Sequence, residues 1–295
     1  MSAGRLRTFV YGLRHLRQAP DLVALRGARS PRHLADLALI PAGRNLGIAV
    51  GFLPADMQAE ATAGLLACRV LDAHEDLTDG PAASSAVLAA VNYLTGLSET
   101  PPPPLHADAR RDSEAVDLVL AARVDDVRAL IAALPAASRE RVGLMLADIG
   151  TAMAENIDAP MPRTAYGERV LGRVVQYACA LITEDACAGD ELAGCIGVLA
   201  QSANDLRDGD VALYRCHDHE ELAHVVIPRL LAAAVGGFAL LTQLGPRTPS
   251  AAARAAVAYM AITTAAFLCA FVGAPPPYPR RLRFAAAMAA AASPP

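Results

Sequence analysis

This sequence predicts an all-α protein folded as a single domain over residues 1–295, on three observations. Hydrophobic residues make up 54% of the chain and charged residues only 19%, enough for a large buried core. Ala and Leu dominate, β-branched runs are short, aromatics are 4% and Trp is absent, a mix that favours helix over sheet. Proline and glycine cut the chain at helix-length intervals, with neither a strand-like alternation nor a fixed-period repeat between the cuts.

The cuts fall at Pro54, Gly80-Pro81, Pro101 to Pro104, Pro135, Pro160 with Pro162, Pro228, Pro246 to Pro249 and Pro275 to Pro277. They leave helices near 34–40, 55–77, 82–96, 113–133, 137–157, 164–187, 190–208, 219–242, 250–273 and 280–292. The 55–77 segment has no Pro and only Gly64, its apolar residues recur at Leu65, Leu66, Val70 and Leu71, and Gly80-Pro81 stops it. The proline run at 101–104 is a stiff connector. Asp125-Asp126, in 113–133, lacks a third acid at helical spacing and is read as a solvated face. His217, Asp218, His219, Glu220 and Glu221 are consecutive and scatter around a helix, so they form a polar loop and first turn. Residues 255–274 are uncharged and long enough to span a bilayer. Their Ala and Thr content makes them a buried core helix, with peripheral membrane contact at most. No break is long enough to be an interdomain linker.

Composition excludes some functions. All 26 basic residues are Arg, and a net charge of −4 argues against nucleic-acid binding. Cys68, Cys179, Cys187, Cys195, Cys216 and Cys269 show no CxxC spacing and read as reduced packing residues of a cytoplasmic protein. Scattered Arg near the N-terminus, without an uninterrupted apolar run and cleavage site, is not expected to form a signal peptide.

The chemistry lies in Arg69-Val-Leu-Asp72-Ala-His-Glu75-Asp76. Asp72 and Asp76 stand one turn apart, about 6 Å along the axis, on one side of a helix bordered by Arg69 and Glu75. Carboxylates crowded on an apolar helix repel one another unless a cation sits between them, so a divalent metal is expected. His74 lies two residues from Asp72 and faces away. Downstream, Gln201, Asn204 and Asp208 share a face at i, i+3 and i+7, with Arg207 beside them to neutralise an anion. Two such faces on distant helices suit Mg²⁺, which takes a few carboxylates, retained waters and phosphate oxygens. Nearby arginines suit diphosphate.

On these residues the chain resembles the squalene/phytoene synthase family of isoprenyl diphosphate enzymes. Gly43-Arg44-Asn45-Leu46 is similar to the family's early Ser-Arg-(Ser/Asn)-Phe segment, and Phe52-Leu53-Pro54 to the Leu-Leu-Pro after it. Arg69 to Asp76 resembles the first aspartate motif, Tyr166-Gly-Glu-Arg-Val170-Leu-Gly172 a Tyr-Cys-x-x-Val-Ala-Gly segment, and Gln201 to Asp208 the first half of the second motif. Together they span 43–212. The resemblance implies an isoprenoid-synthase helical bundle with a central cavity. It implies Mg²⁺ on Asp72, Asp76 and Asp208, with Glu75 and Asn204 in the ligand set. Diphosphate would be bound by Arg44, Arg69, Gln201, Arg207 and Arg215, with Tyr166 binding it or helping to remove a proton. Leu65, Val170 and Gly172 would line the substrate pocket.

Three departures shape the functional expectation. Ala212 stands where the family has a second acid, and Asp210 is rotated about 200° from Asp208, so it is no simple replacement. Leu65 stands where the family has Tyr, and aromatic rings to stabilise carbocations are few. The expected activity is ionisation of an allylic isoprenyl diphosphate of dimethylallyl to farnesyl length. The prenyl group then passes to a neutral, aromatic (carbazole-type) acceptor in secondary metabolism, as divergent relatives do. Head-to-head condensation to squalene, presqualene diphosphate or phytoene is the competing activity, and a non-catalytic isoprenoid-binding relative the third reading.

Overall fold

A computed structural model describes residues 3–78, 80, 82–183, 185, 189–271 and 281–292. Among these it forms fifteen α-helices and no strand. The first nine are α1 (Ala3–His15), α2 (Leu22–Arg26), α3 (Pro31–Gly43), α4 (Asn45–Val50), α5 (Ala55–Leu77), α6 (Ala82–Leu94), α7 (Asp112–Ala122), α8 (Val124–Ala132) and α9 (Ala136–Asp158). The rest are α10 (Arg163–Arg169), α11 (Leu171–Thr183), α12 (Asp190–Asp208), α13 (His219–Arg247), α14 (Ala251–Phe271) and α15 (Arg281–Ala292), with a 3-10 turn at Val211–Tyr214. Pro81, Cys187, the end of the 164–187 segment and Pro275 to Pro277 lie outside the described residues.

Local chemistry sets many boundaries. Ser30 accepts from the His33 N–H at 3.2 Å and Pro31 opens α3. Asp218 accepts from the Glu221 N–H at 2.9 Å to cap α13, while His217 pairs with Glu221, so this polar run is a loop and first turn. Gly209 ends α12 in the left-handed region at φ 72°.

Three expected boundaries are corrected. The 113–133 helix breaks at Arg123, whose guanidinium turns to the carbonyls of Arg26 and Ala28 at 2.9 and 3.0 Å. The 164–187 segment breaks at the buried Val170. The expected stop at Pro246 is not realised: α13 runs through Pro228 and Pro246 to Arg247. The carbonyls that each proline leaves without an N–H partner belong to His224 and Thr242, both exposed, where water can satisfy them. Helices α1, α2 and α4 lie in stretches where no helix was read. α1 hides little beyond Phe9, which is fully buried against Phe52, Tyr259 and Phe284, so distant contacts hold it.

Two helices organise the bundle. α5 packs against α3, α6, α7, α8 and α9, while α12 packs against α10, α11 and α13. α9 touches α10 and α11, α14 packs on α4, and α15 returns to α1. Among the described residues α5 and α12 do not pack side by side. α13 and α14 are long and apolar enough to cross a membrane, with windows of mean hydropathy 1.9 and 1.5. Both also pack within the bundle, α14 through the fully buried Tyr259.

Candidate active site

α5 buries Leu66, Ala67, Val70 and Leu71 completely, which leaves Asp72, Glu75 and Asp76 on its less buried side. His74 falls on the buried side, 1% exposed, with neither ring nitrogen hydrogen-bonded. Burial lowers its pKa to about 4, so the ring is neutral.

Arg69 is turned inward. Its Nη1 donates to Asp72 Oδ2 at 2.6 Å, and its Nε donates to Asp117 Oδ1 at 2.8 Å. Nη2 also pairs with Asp117. Asp117, on α7 and 5% exposed, was missed in the sequence. The available signal was a lone acid inside Val116-Asp117-Leu118-Val119-Leu120, since a buried carboxylate requires a partner. This lock takes up the guanidinium assigned to diphosphate.

Glu75 is held from α10. The Tyr166 hydroxyl lies 2.7 and 2.6 Å from its two oxygens and donates to them. Burial and then Glu75 push the phenol's pKa well up, so Tyr166 keeps its proton and acts as a donor. Arg163 lies over the Tyr166 ring, 4.7 Å from its centroid.

Arg163 also anchors α12. It donates to Asp205 at 3.1 and 2.8 Å, Gln201 donates to the same carboxylate at 2.7 Å, and Tyr214 donates at 2.6 Å. Asp205 is 1% exposed with both oxygens satisfied, so it is a structural hub that does not stand in for the acid absent at Ala212. Gln201, assigned to diphosphate, belongs to this hub. Arg163, Asp205 and Tyr214 were not singled out in the sequence because their partners lie on separate elements.

Asp208 ends α12 between two arginines. Arg207 donates to it at 2.8 and 3.0 Å, and Arg111 Nη1 lies 2.9 Å from its Oδ2. Burial works to raise its pKa, but the Arg207 and Arg111 charges hold it below the usual value. Asn204 sits half-buried one turn earlier, and Ala212 lies in the 3-10 turn.

The remaining predicted residues lie elsewhere. Arg44 joins α3 to α4 at φ 50° and lines a cavity of about 70 Å³ with Tyr11, His15, Asp21 and Asp112. Arg215 follows the 3-10 turn at φ 56°. Leu65 lies over Gly43, where a Cβ would meet it at 2.6 Å. Val170 is 3% exposed at the α10–α11 break. Gly172 packs on the Gly194 backbone, 3.1 Å from where its own Cβ would stand.

The first face fits Mg²⁺. Burial raises the pKa of Asp72 against the pull of Arg69, lifts Glu75 to about 8, and with Asp72 lifts Asp76 to about 6. Asp76 is exposed to solvent. Three hard oxygen donors crowded together would be stabilised by a further cation beside Arg69. Among the described residues no three acidic, His or Cys groups converge as a ready-made cage, so waters and phosphate oxygens would complete the shell. The second face does not fit in the same way, because Asp208 already has two guanidinium partners.

No protein-family model matches the chain, and no curated protein matches its sequence. A solved structure described as the complex of TcSQS with the ligand E5700 superposes with a TM-score of 0.61 at 15% identity, covering 89% of this chain and 85% of that one. TcSQS is a squalene synthase. The chain therefore has the all-α, squalene/phytoene synthase-like fold of an isoprenoid synthase.

Proposed function

We propose that the protein is a Mg²⁺-dependent prenyltransferase that ionises an allylic isoprenyl diphosphate and gives the prenyl group to a neutral, aromatic acceptor of the carbazole type. The observation that carries this reading is the trio Asp72, Glu75 and Asp76, crowded on one side of an apolar helix with Tyr166 bonded to Glu75. Asp72 and Asp76 would hold Mg²⁺, which would supply charge neutralisation for a departing pyrophosphate. Asp117 fixes Arg69, and Arg69 fixes the Asp72 carboxylate, so its orientation is set before substrate arrives. Tyr166 holds its proton on Oη, against the Glu75 carboxylate. Asp208, saturated by arginines and without an acid at position 212, supports a site for one diphosphate.

Head-to-head condensation is the second reading, supported by the fold shared with TcSQS. The test incubates the protein with Mg²⁺ and farnesyl diphosphate, with and without a panel of aromatic acceptors. Pyrophosphate release that depends on acceptor and falls about 10²–10³-fold in Asp72→Ala is expected. Efficient formation of a C30 product without acceptor would replace acceptor prenylation by condensation. No release under any condition would leave a non-catalytic isoprenoid binder.

A further inference from the structure

We propose that Arg111 is the resident cation of the second acidic face, so that this end of the site meets a diphosphate with guanidinium groups in place of a metal ion. The inference rests on the diphosphate-ionising reading above and adds which cation serves which helix.

Arg111 directly precedes α7 in extended conformation, at φ −135° and ψ 155°. Its guanidinium is fixed at two points: Nε donates to Glu114 Oε1 at 3.0 Å, and Nη1 meets Asp208 Oδ2 at 2.9 Å. Glu114 is 7% exposed and also accepts the Arg110 N–H at 2.6 Å, so the group that aims Arg111 is itself immobilised. With Arg207 on the other side, Asp208 faces two positive charges, and Ala212 offers no second carboxylate. A divalent ion would have to displace a clamped arginine to gain one carboxylate. Mg²⁺ dehydrates reluctantly and favours sites where several hard donors converge. Arg111 is about half exposed, so it has donors left for phosphate oxygens.

The test counts Mn²⁺ bound per chain in the presence of inorganic pyrophosphate, from the electron paramagnetic resonance signal of the free ion. In the wild-type chain Asp208→Asn should leave the count unchanged, while Asp72→Asn should lower it. Arg111→Ala should gain one further ion, a gain absent from the Arg111→Ala, Asp208→Asn double variant. Arg111→Lys, which keeps a cation, should retain the wild-type count, and circular dichroism checks that every variant is folded. A wild-type count that falls on Asp208→Asn, or a count unmoved by Arg111→Ala, overturns the inference while leaving the ionisation reading intact. A folded wild-type chain that takes up no Mn²⁺ overturns the ionisation reading and this inference with it.

Discussion

At the start of α7 the Glu114 carboxylate accepts from the Arg110 N–H and the Arg111 side chain, two local contacts made by a single group. Burial works to raise its pKa, yet these two donors hold it below the ordinary glutamate value. The folded chain therefore releases this proton more readily than the unfolded chain does. The resulting stability is fully present above the ordinary glutamate pKa and is lost as pH falls through the depressed folded value. Glu114→Gln should cost about 1–2 kcal/mol at neutral pH, and the difference from wild type should vanish in acid. Urea titrations of both proteins across this range measure it, and a difference independent of pH would assign the loss to packing alone. Asp205 and Asp117 are spent on arginines, Glu75 is held by a phenol, and Asp76 carries no such lock.

Position along a helix settles which groups share a face, but not which helices meet, and this divides what was legible from what was not. The trio on α5 and the face on α12 follow from helical spacing, so both were legible. Asp117, Arg163 and Tyr214 depend on α7, α10 and the 3-10 turn approaching these helices, which no periodicity encodes. Glycine carries part of that approach. A Cβ on Gly197 would lie 2.3 Å from both the Gly167 carbonyl oxygen and the Gly172 nitrogen, backbone atoms of α10 and α11. Gly197→Ala must therefore push α10, with Tyr166, away from α12, and should cost about 1–3 kcal/mol. Gly143, inside α9, would meet nothing nearer than 3.8 Å, and Gly143→Ala should stabilise by up to about 1 kcal/mol through helix propensity. Opposite shifts in thermal midpoint are expected, and equal shifts would remove close packing as the reason for Gly197.

Across the whole molecule, helices around α5 and helices around α12 are joined through α9 and α11, while a second junction forms where α1 packs on α15. Rings gather at that second junction although the sequence has only six Phe and seven Tyr. Phe9 lies 5.9 Å from both Phe52 and Tyr259 and 5.2 Å from Phe284, joining α1, the segment before α5, α14 and α15. The Tyr259 hydroxyl donates to Asn45 at 3.0 Å, directly after Arg44. The scarce rings thus brace the chain ends, and the bracing reaches the Arg44 turn. Phe9→Ala should cost about 3–5 kcal/mol, because the surrounding rings can only partly collapse into the space. The loss should also be local. Hydrogen exchange should speed up in α1, α4, α14 and α15, while α6 and α9, which pack on each other, keep their protection. Uniform acceleration through α6 and α9 would instead mean that the molecule opens as a single cooperative unit, with the aromatic junction holding both sides at once.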